Sequence, residues 1–273
     1  MAKRAVCLGL DDYDGHGDLR GCVNDSNDWK DILQEVYGFG DQVRCFTDAD
    51  VTSDNVQEEL VRLLKATKPG DLAVFTYSGH GTWVDASEEE ENDFDEAVDE
   101  CWYLRGGTLL KDDWLREALR KNLDPAAQLI MISDCCHAGT ITRFIPKDLA
   151  DGTQVEFPVA NRYLAHRDGQ GDSDREKPPS RGAAYPESEM REILLAGCDP
   201  EETSKEARIN GRSNGAMTST AIRLLRQSPQ ITYRELHQQI LGLVQGRFDQ
   251  TPQLEGQDAK KDRPVFSEPE RFA

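Results

Sequence analysis

Residues 128–139 read QLIMISDCCHAG, and this stretch is the most informative part of the sequence about the fold. Its first half, Leu129–Ile132, is apolar and rich in β-branched side chains, which predicts a buried strand. Cys135 and Cys136 follow within four residues, and Gly139 permits a tight turn. The sequence therefore places two thiols where a buried strand leaves a sheet, the edge at which open α/β sheets carry their chemistry.

A second stretch upstream has the same form. Residues 72–78, LAVFTYS, form another apolar run, and it leads directly into Gly79, His80 and Gly81. If the two strands are parallel neighbours, their carboxyl ends meet at one sheet edge and bring a histidine to a cysteine. A thiol nucleophile and its base require this proximity.

The composition limits the classes of partner. The 273 residues are 37% hydrophobic and 30% charged, and 51 acidic against 32 basic residues give a net charge of −19. This charge argues against nucleic acid or an anionic membrane as a partner and favours basic peptides or divalent cations. We find no apolar run of membrane-spanning length and no signal peptide, and the seven scattered cysteines indicate reduced thiols. We therefore expect a cytoplasmic protein.

The order of the predicted elements indicates an α/β fold. Strands and helices alternate as βαβαβ, which implies a mostly parallel sheet with right-handed crossovers. The predicted strands are Ala5–Leu10, Gln42–Phe46, Leu72–Ser78, Cys101–Leu104, Leu129–Ile132 and Glu192–Cys198. The predicted helices run from an Asn24 or Asp25 cap to about Tyr37, from a Ser53 cap onward, and over Asp112–Leu123, Met217–Leu225 and Thr232–Val244, the last with a Thr232/Glu235 capping box.

One segment interrupts this pattern. Residues 151–186 lack periodicity and are rich in Gly, Pro, Arg and Asp, which predicts a long loop or linker. It separates a larger part, residues 1–150, which carries the histidine and cysteine, from a smaller part, residues 187–273. We expect the smaller part to complete the same sheet.

The residues near the two strand ends suit nucleophilic catalysis. Cys136 offers a thiolate, His80 an imidazole, and the backbone N–H groups of Gly81 and Cys136 are placed to bind an oxyanion. From residue chemistry alone, a buried structural cysteine and an incidental histidine are an equally good interpretation.

Several motifs in order resemble one known family. They are 19–25 (LRGCVND), 77–81 (YSGHG), 134–139 (DCCHAG), 194–198 (LLAGC) and 250–254 (QTPQL). Together they are similar to the signatures of metacaspases, caspase-like cysteine peptidases, and in particular to the prokaryotic type. The resemblance implies a caspase-like three-layer sandwich, with a mostly parallel central sheet and helices on both faces. It also implies hydrolysis of peptide bonds after Arg or Lys.

The resemblance also implies roles for individual residues. The nucleophile is the cysteine directly before the histidine, hence Cys136 and not Cys135, with His80 as general acid and base. Four positions match those that line the family's acidic pocket for the P1 side chain, the residue before the scissile bond: Cys22, Asp25, Ser78 and Asp134. Carboxylates suit a guanidinium or ammonium group. For Asp25, a role as a mere helix cap stays open.

Many metacaspases need calcium, and the resemblance places the calcium ligands at Asp95, Asp112 and Asp113. A fourth family carboxylate corresponds here to Arg143, and a cation there weakens a site for a hard metal ion. Either the acidic run Glu88–Glu91 compensates or the protein works without calcium. We expect no cofactor to be required for the chemistry itself, and Asp112 could be only a helix cap.

Metacaspases also cleave themselves, and the 151–186 loop offers exposed basic residues for this. The candidates are Arg162, Arg167, Arg175, Lys177 and Arg181, of which Arg167 is favoured. A solvated charged linker is the alternative interpretation of the same segment.

Two other functions stay open from the sequence. One is a catalytically silent caspase-fold scaffold, and the other is a related peptidase, of the legumain or clostripain kind, with a different P1 preference. We expect basic peptides or proteins as substrates, no nucleic-acid or membrane partner, and a monomer.

Overall fold

The computed structural model describes residues 1–85, 98–135, 153–165 and 186–267. The strands are β1 (Lys3–Gly9), β2 (Val43–Thr47), β3 (Leu72–Ser78), β4 (His80–Asp85), β5 (Val98–Tyr103), β6 (Leu109–Lys111), β7 (Gln128–Asp134), β8 (Val155–Asn161), β9 (Glu192–Ala196), β10 (Lys205–Ile209), β11 (Arg212–Gly215) and β12 (Gln253–Glu255). The helices are α1 (Cys22–Glu35), α2 (Ser53–Ala66), α3 (Asp112–Asn122), α4 (Ala216–Gln227), α5 (Tyr233–Val244) and α6 (Asp258–Lys261).

Six strands form the central sheet in the order β12-β9-β7-β3-β1-β2. All neighbouring pairs are parallel except β12, which runs antiparallel to β9 at one edge. Two small antiparallel sheets, β4-β5-β6 and β11-β10-β8, flank it. Strands β9 and β12 come from residues 187–273, so this part contributes to the same sheet as the N-terminal part.

Alternate residues of the sheet face two separate apolar layers. Cys7 and Val74 belong to a core that includes residues of α1, α4 and α5. Their sequence neighbours Val6 and Phe75 belong to a second core, with residues of α2 and α3. Side chains of a strand alternate between its faces, so helices cover both sides of the sheet. The predicted three-layer α/β class is confirmed. Across the described residues, no helix is long and apolar enough to span a membrane.

The first helix begins earlier than the predicted Asn24 or Asp25 cap. Helix α1 starts at Cys22, and Gly21 precedes it without a side-chain cap. Distant carboxylates bind its first N–H groups: Asp11 accepts from Cys22 N at 2.8 Å, and Glu206 accepts from Gly21 N at 2.9 Å. The local capping prediction was wrong because the cap comes from other elements. The cap of α2 is likewise Thr52 and not Ser53, whereas the Thr232/Glu235 capping box of α5 is present.

The largest error in the predicted elements falls within residues 151–186. Part of this segment is a strand, β8, which pairs with β10 some 44 residues later, with Asn161 opposite Lys205. The hairpin β10-β11 turns at Asn210 and Gly211, both with positive φ. An Asn-Gly pair is a strong hairpin signal that our sequence analysis overlooked. A strand whose partner is remote and whose sequence is partly polar gives no local signal.

Candidate active site

The ends of β3 and β7 lie side by side at the edge where the sequence predicts the chemistry. The two strands are parallel, and their register pairs Ser78 with Asp134. His80 follows Ser78 by two residues and opens β4. Cys136 and His137 fall outside the described residues.

His80 is held in one orientation by its neighbours. Its Nε2 lies 2.6 Å from the carbonyl oxygen of Gly17, and a carbonyl only accepts, so we assign the ring proton to Nε2. The backbone N–H of His80 donates to the hydroxyl of Tyr13, whose ring lies 4.6 Å from the imidazole. The other ring nitrogen, Nδ1, is thereby left as the basic one.

The imidazole is buried and neutral. Burial lowers the pKa of His80 to about 4, an effect that the carbonyl groups of Gly17 and Arg162 partly oppose. Nδ1 is buried and has no hydrogen-bond partner within the part of the chain that the structure describes. A neutral imidazole with a free basic nitrogen is suited to accept a proton.

Four residues predicted to line an acidic pocket do meet in one place. Asp25 and Asp134 are 0% and 1% exposed, and Cys22 and Ser78 are buried beside them. Arg162 fills the space between them, itself 0% exposed. Its Nη2 lies 2.6 Å from Asp25 Oδ2, and its Nη1 lies 2.7 Å from Ser78 Oγ and 3.3 Å from Asp134 Oδ2.

A third carboxylate joins this pocket, and sequence analysis missed it. Glu206 lies on β10, 3.5 Å from Nη2 of Arg162, and it also accepts the N–H groups of Arg20 and Gly21. Because β10 itself was not predicted, no local pattern pointed to Glu206. Three acids thus surround one guanidinium.

The two aspartates are fixed by the start of α4 and the strand before it. Asp25 accepts from Asn214 Nδ2 at 2.8 Å and from Gly215 N at 3.1 Å. Asp134 accepts from the backbone N–H and the hydroxyl of Thr218, at 3.1 and 2.7 Å. Burial, followed by repulsion from Asp134, raises the pKa of Asp25 to about 6, although Arg162 acts in the opposite direction.

Gly215 is required by this close packing. A Cβ atom there would lie 2.3 Å from Asp134 Oδ2 and 2.5 Å from Nη1 of Arg162. These distances are too short for any side chain, so only glycine lets the backbone approach the guanidinium.

Both backbone polar groups of Arg162 form hydrogen bonds. Its N–H donates to Ser204 O at 3.0 Å, and its carbonyl oxygen accepts the N–H of Gly81 at 2.9 Å. Two residues later, Leu164 N–H donates to Gly81 O at 3.1 Å. The segment therefore crosses the site with its arginine in the acidic pocket and the arginine's carbonyl oxygen bound to the N–H of Gly81, beside His80.

Cys135, the neighbour of the predicted nucleophile, belongs to a different environment. Its Sγ is buried 3.2 Å from Ser133 Oγ, which accepts the indole N–H of Trp102. Burial raises the pKa of the Cys135 thiol to about 12, so this thiol stays protonated at neutral pH.

Two of the residues predicted to bind calcium already pair with a cation. Asp112 and Asp113 are described, and both form ion pairs with Arg116 on the same helix, α3. Nearby, Lys111 lies 2.9 Å from Asp99. A cation beside a carboxylate weakens the attraction of that carboxylate for a calcium ion. Asp95, Arg143 and Glu88–Glu91 fall outside the described residues.

Within the described part of the chain, one further cluster offers metal-ligating atoms. Ligand atoms of Asp11, Cys22 and Glu206 lie within 4.8 Å of one another. The oxygens of Asp11 and Glu206 already accept backbone N–H groups at the start of α1, which accounts for this cluster as a helix cap.

The predicted cleavage sites are only partly described. Arg167, the favoured one, lies outside the described residues, as do Arg175, Lys177 and Arg181. Arg162 is described, and it lies in the acidic pocket and not on an exposed loop, because β8 continues directly into it.

Comparisons with known proteins agree on one family. The profile of the metacaspase peptidase C14 domain matches residues 3–144. Metacaspase-1 of Scheffersomyces stipitis is 25% identical, covering 92% of this chain and 70% of the relative. Metacaspase-1A of Aspergillus fumigatus is 27% identical, over 92% and 68%.

Solved structures show the same fold. A protein from Geobacter sulfurreducens superimposes with a TM-score of 0.69 at 23% identity, over 98% of this chain and 99% of that one. Caspase-1 from Spodoptera frugiperda superimposes with a TM-score of 0.58 at 13% identity, over 99% and 92%. At these identities the likeness concerns the fold and not the specificity.

Proposed function

The chain belongs to the metacaspases of peptidase family C14, cysteine-type peptidases with the caspase-like fold, and from this premise we propose that it cleaves peptide bonds after Arg, and less readily after Lys. The single observation that carries this proposal is Arg162. Its guanidinium contacts Asp25, Asp134 and Glu206 in a pocket closed to solvent. A pocket that already accommodates an arginine in this way is suited to an arginine of a substrate.

Arginine suits this pocket better than lysine for geometric reasons. Both terminal nitrogens of Arg162 are used, Nη2 by Asp25 and Nη1 by Ser78 and Asp134. A single ammonium group reaches fewer of these acceptors at once and leaves carboxylate oxygens unpaired in a buried site. Asp at P1 is excluded by repulsion from the same acids.

The proposed mechanism uses Cys136 and His80. The thiolate of Cys136 attacks the carbonyl carbon after the P1 residue, and the N–H groups of Gly81 and Cys136 stabilise the oxyanion. His80 accepts the thiol proton at Nδ1 and returns it to the leaving amine, while the Gly17 carbonyl keeps the ring in the required tautomer. Water then attacks the thioester, with His80 as the base, and releases the carboxylate and the free thiol.

We further propose that the first substrate is the chain itself, at the bond between Arg162 and Tyr163. The Gly81 N–H already donates to the carbonyl oxygen of Arg162, the position at which an oxyanion develops. The earlier preference for Arg167 remains a prediction, and Arg162 has the stronger support because its side chain and backbone are both bound. We place the processed enzyme, as a monomer, in the cytoplasm, acting on basic peptides.

A silent scaffold is the second candidate function, and one observation favours it. The chain's own Arg162 fills the acidic pocket, which excludes other peptides for as long as it stays bound. A legumain- or clostripain-like preference has no comparable support, since an Asn-directed pocket does not need three carboxylates.

Hydrolysis of fluorogenic peptides with Arg, Lys, Asn or Asp at P1 tests the proposal. We expect the order Arg over Lys, no cleavage after Asn or Asp, and complete loss in Cys136→Ala. If the wild type cleaves none of the peptides before or after self-processing, the scaffold interpretation is correct. A preference for Asn would instead contradict the role assigned to the acidic pocket.

A further inference from the structure

A cavity of about 640 Å³ lies beside residues that contact His80. Its walls include Tyr13, Gly17, Tyr103 and Gly107. Two of these residues contact the imidazole directly: the ring of Tyr13 lies 4.6 Å from it, and the carbonyl oxygen of Gly17 lies 2.6 Å from Nε2. The cavity therefore adjoins the Nε2 side of the His80 imidazole, and it shares no lining residue with the acidic pocket.

The chain places one of its own side chains against this cavity. Leu164 lines it, is half-buried, and packs against the second core together with Tyr103. At Gly17, an added Cβ would lie 3.0 Å from Cδ1 of Leu164. The absence of a side chain at Gly17 thus makes room both for the leucine and for the contact with His80.

The backbone fixes which residue reaches the cavity. Gly81 donates its N–H to the carbonyl oxygen of Arg162 and accepts, on its own carbonyl, the N–H of Leu164. Gly81 of β4 thereby forms backbone hydrogen bonds to the bound chain on both sides of the Arg162–Tyr163 bond. Any peptide bound in this register presents the second residue after the scissile bond, P2′, to the cavity.

We propose that this cavity is a substrate subsite that selects an aliphatic side chain at P2′. The proposal rests on the proposed function, because it takes the Arg162–Tyr163 bond as the scissile bond. The preferred substrates are then peptides with an arginine followed, two residues later, by leucine or a side chain of similar size.

The lining of the cavity determines which P2′ side chains it disfavours. Asp14 lies on its rim and is paired with Arg105, as is the nearby Asp12. An acidic P2′ side chain loses the apolar contact and also gives up water at the apolar wall, whereas glycine loses only the contact. A pocket contact of this size typically changes kcat/KM by about tenfold.

Internally quenched peptides covering residues 156–166, EFPVANRYLAH, test this inference. Three peptides carry Leu, Gly or Asp at the position of Leu164. A matched control carries Glu156→Gln, a change at an exposed position six residues before the arginine. The full-length, self-processed enzyme is used, and the rate of hydrolysis by Cys136→Ala is subtracted as background. We expect kcat/KM to fall about tenfold for Gly, further for Asp, and less than twofold for the control.

A change in the wall of the cavity separates a subsite from a general structural role. Tyr103→Ala enlarges the cavity by removing one of the aromatic side chains that line it. We expect the ratio of kcat/KM between the Leu and Gly peptides to fall towards one, whereas a merely damaged enzyme would lose rate on both peptides equally.

The outcomes distinguish this inference from the function on which it rests. If the Leu, Gly and Asp peptides are cleaved after the arginine at rates within twofold, the subsite does not exist, and the proposed function stands. If no peptide is cleaved at all, the proposed function fails and the subsite fails with it.

Discussion

Asp25 carries a negative charge in a place where water cannot reach it, and this has a cost in stability. Its pKa is raised from 3.8 to about 6, chiefly by burial. Between these two values the unfolded chain loses the proton while the folded chain keeps it, so stability falls as pH rises through this window. A shift of about two units corresponds to about 3 kcal/mol, fully lost above pH 6.

This argument predicts the behaviour of Asp25→Asn, which resembles the protonated acid. Between pH 4 and pH 7, the difference in free energy of unfolding between the variant and the wild type should shift by about 2.5 kcal/mol in favour of the variant. Urea denaturation at both pH values measures it. Asp41→Asn, at an exposed position, is the control and should stay within about 0.5 kcal/mol of the wild type. An equal effect of Asp25→Asn at both pH values would show that its pKa is not raised by folding.

A second prediction at this scale concerns glycine. Gly215→Ala pushes a methyl group into Asp134 and the bound guanidinium, so cleavage after Arg should fall by at least about a hundredfold, a loss of about 2.7 kcal/mol. Gly242→Ala is the matched control: nothing lies within 4 Å of its Cβ, and on helix α5 it should stabilise by up to about 1 kcal/mol. Steady-state kinetics and thermal melting of both variants decide this. Full activity of Gly215→Ala would mean that substrates do not use this pocket.

Among the elements, α3 determines what we expect for calcium. Among the residues that the structure describes here, Asp99, Asp112 and Asp113 supply three negative charges, and their ion-pair partners Lys111 and Arg116 supply two positive ones. This pairing weakens the attraction of the three carboxylates for a hard divalent cation. We predict that cleavage of an Arg-P1 peptide continues in EDTA and rises less than twofold in millimolar calcium. Activity confined to the calcium samples would show that residues outside the described ranges complete a site.

The elements also show what the sequence alone could and could not predict. Strands β3 and β7 were predicted because their signal is local: each is a continuous apolar run ended by polar residues. Strands β8 and β10 were not, because a pair separated by some 44 residues leaves no periodic pattern in either partner. The start of α1 was misplaced for a related reason, since Asp11 and Glu206 cap it from a distance.

The residues of the candidate site likewise fall into those that a sequence motif identifies and those that it does not. Asp25, Ser78 and Asp134 were identified through motifs that resemble the family, and the structure does bring them together. Glu206 lies on an unpredicted strand, and the contact of Gly17 is made by a carbonyl group, which every residue possesses. Arg162 was one of five basic candidates, and only tertiary packing distinguishes it.

For the whole molecule, the decisive experiment identifies the first peptide bond that the enzyme cleaves in its own chain. Intact mass spectrometry of the purified wild type should show a new N-terminus at Tyr163, whereas Cys136→Ala stays a single chain. Arg162→Gln should leave that bond intact. Because it removes the cation from among three buried acids, it should also lower the free energy of unfolding by about 3 to 5 kcal/mol. A new N-terminus at Asp168 would instead identify Arg167 as the site and contradict our assignment.

The acidic pocket is assembled from remote parts of the chain, and this has a consequence for protein synthesis. Asp25 and Asp134 are held by Asn214, Gly215 and Thr218, and Glu206 comes from the same late region. A nascent chain on the ribosome, growing at about 5 to 20 residues per second, has already exposed His80 and Cys136 before these residues exist. Until they emerge, the growing polypeptide has no formed arginine pocket. The order of synthesis therefore delays assembly of the acidic pocket until the C-terminal region has been made.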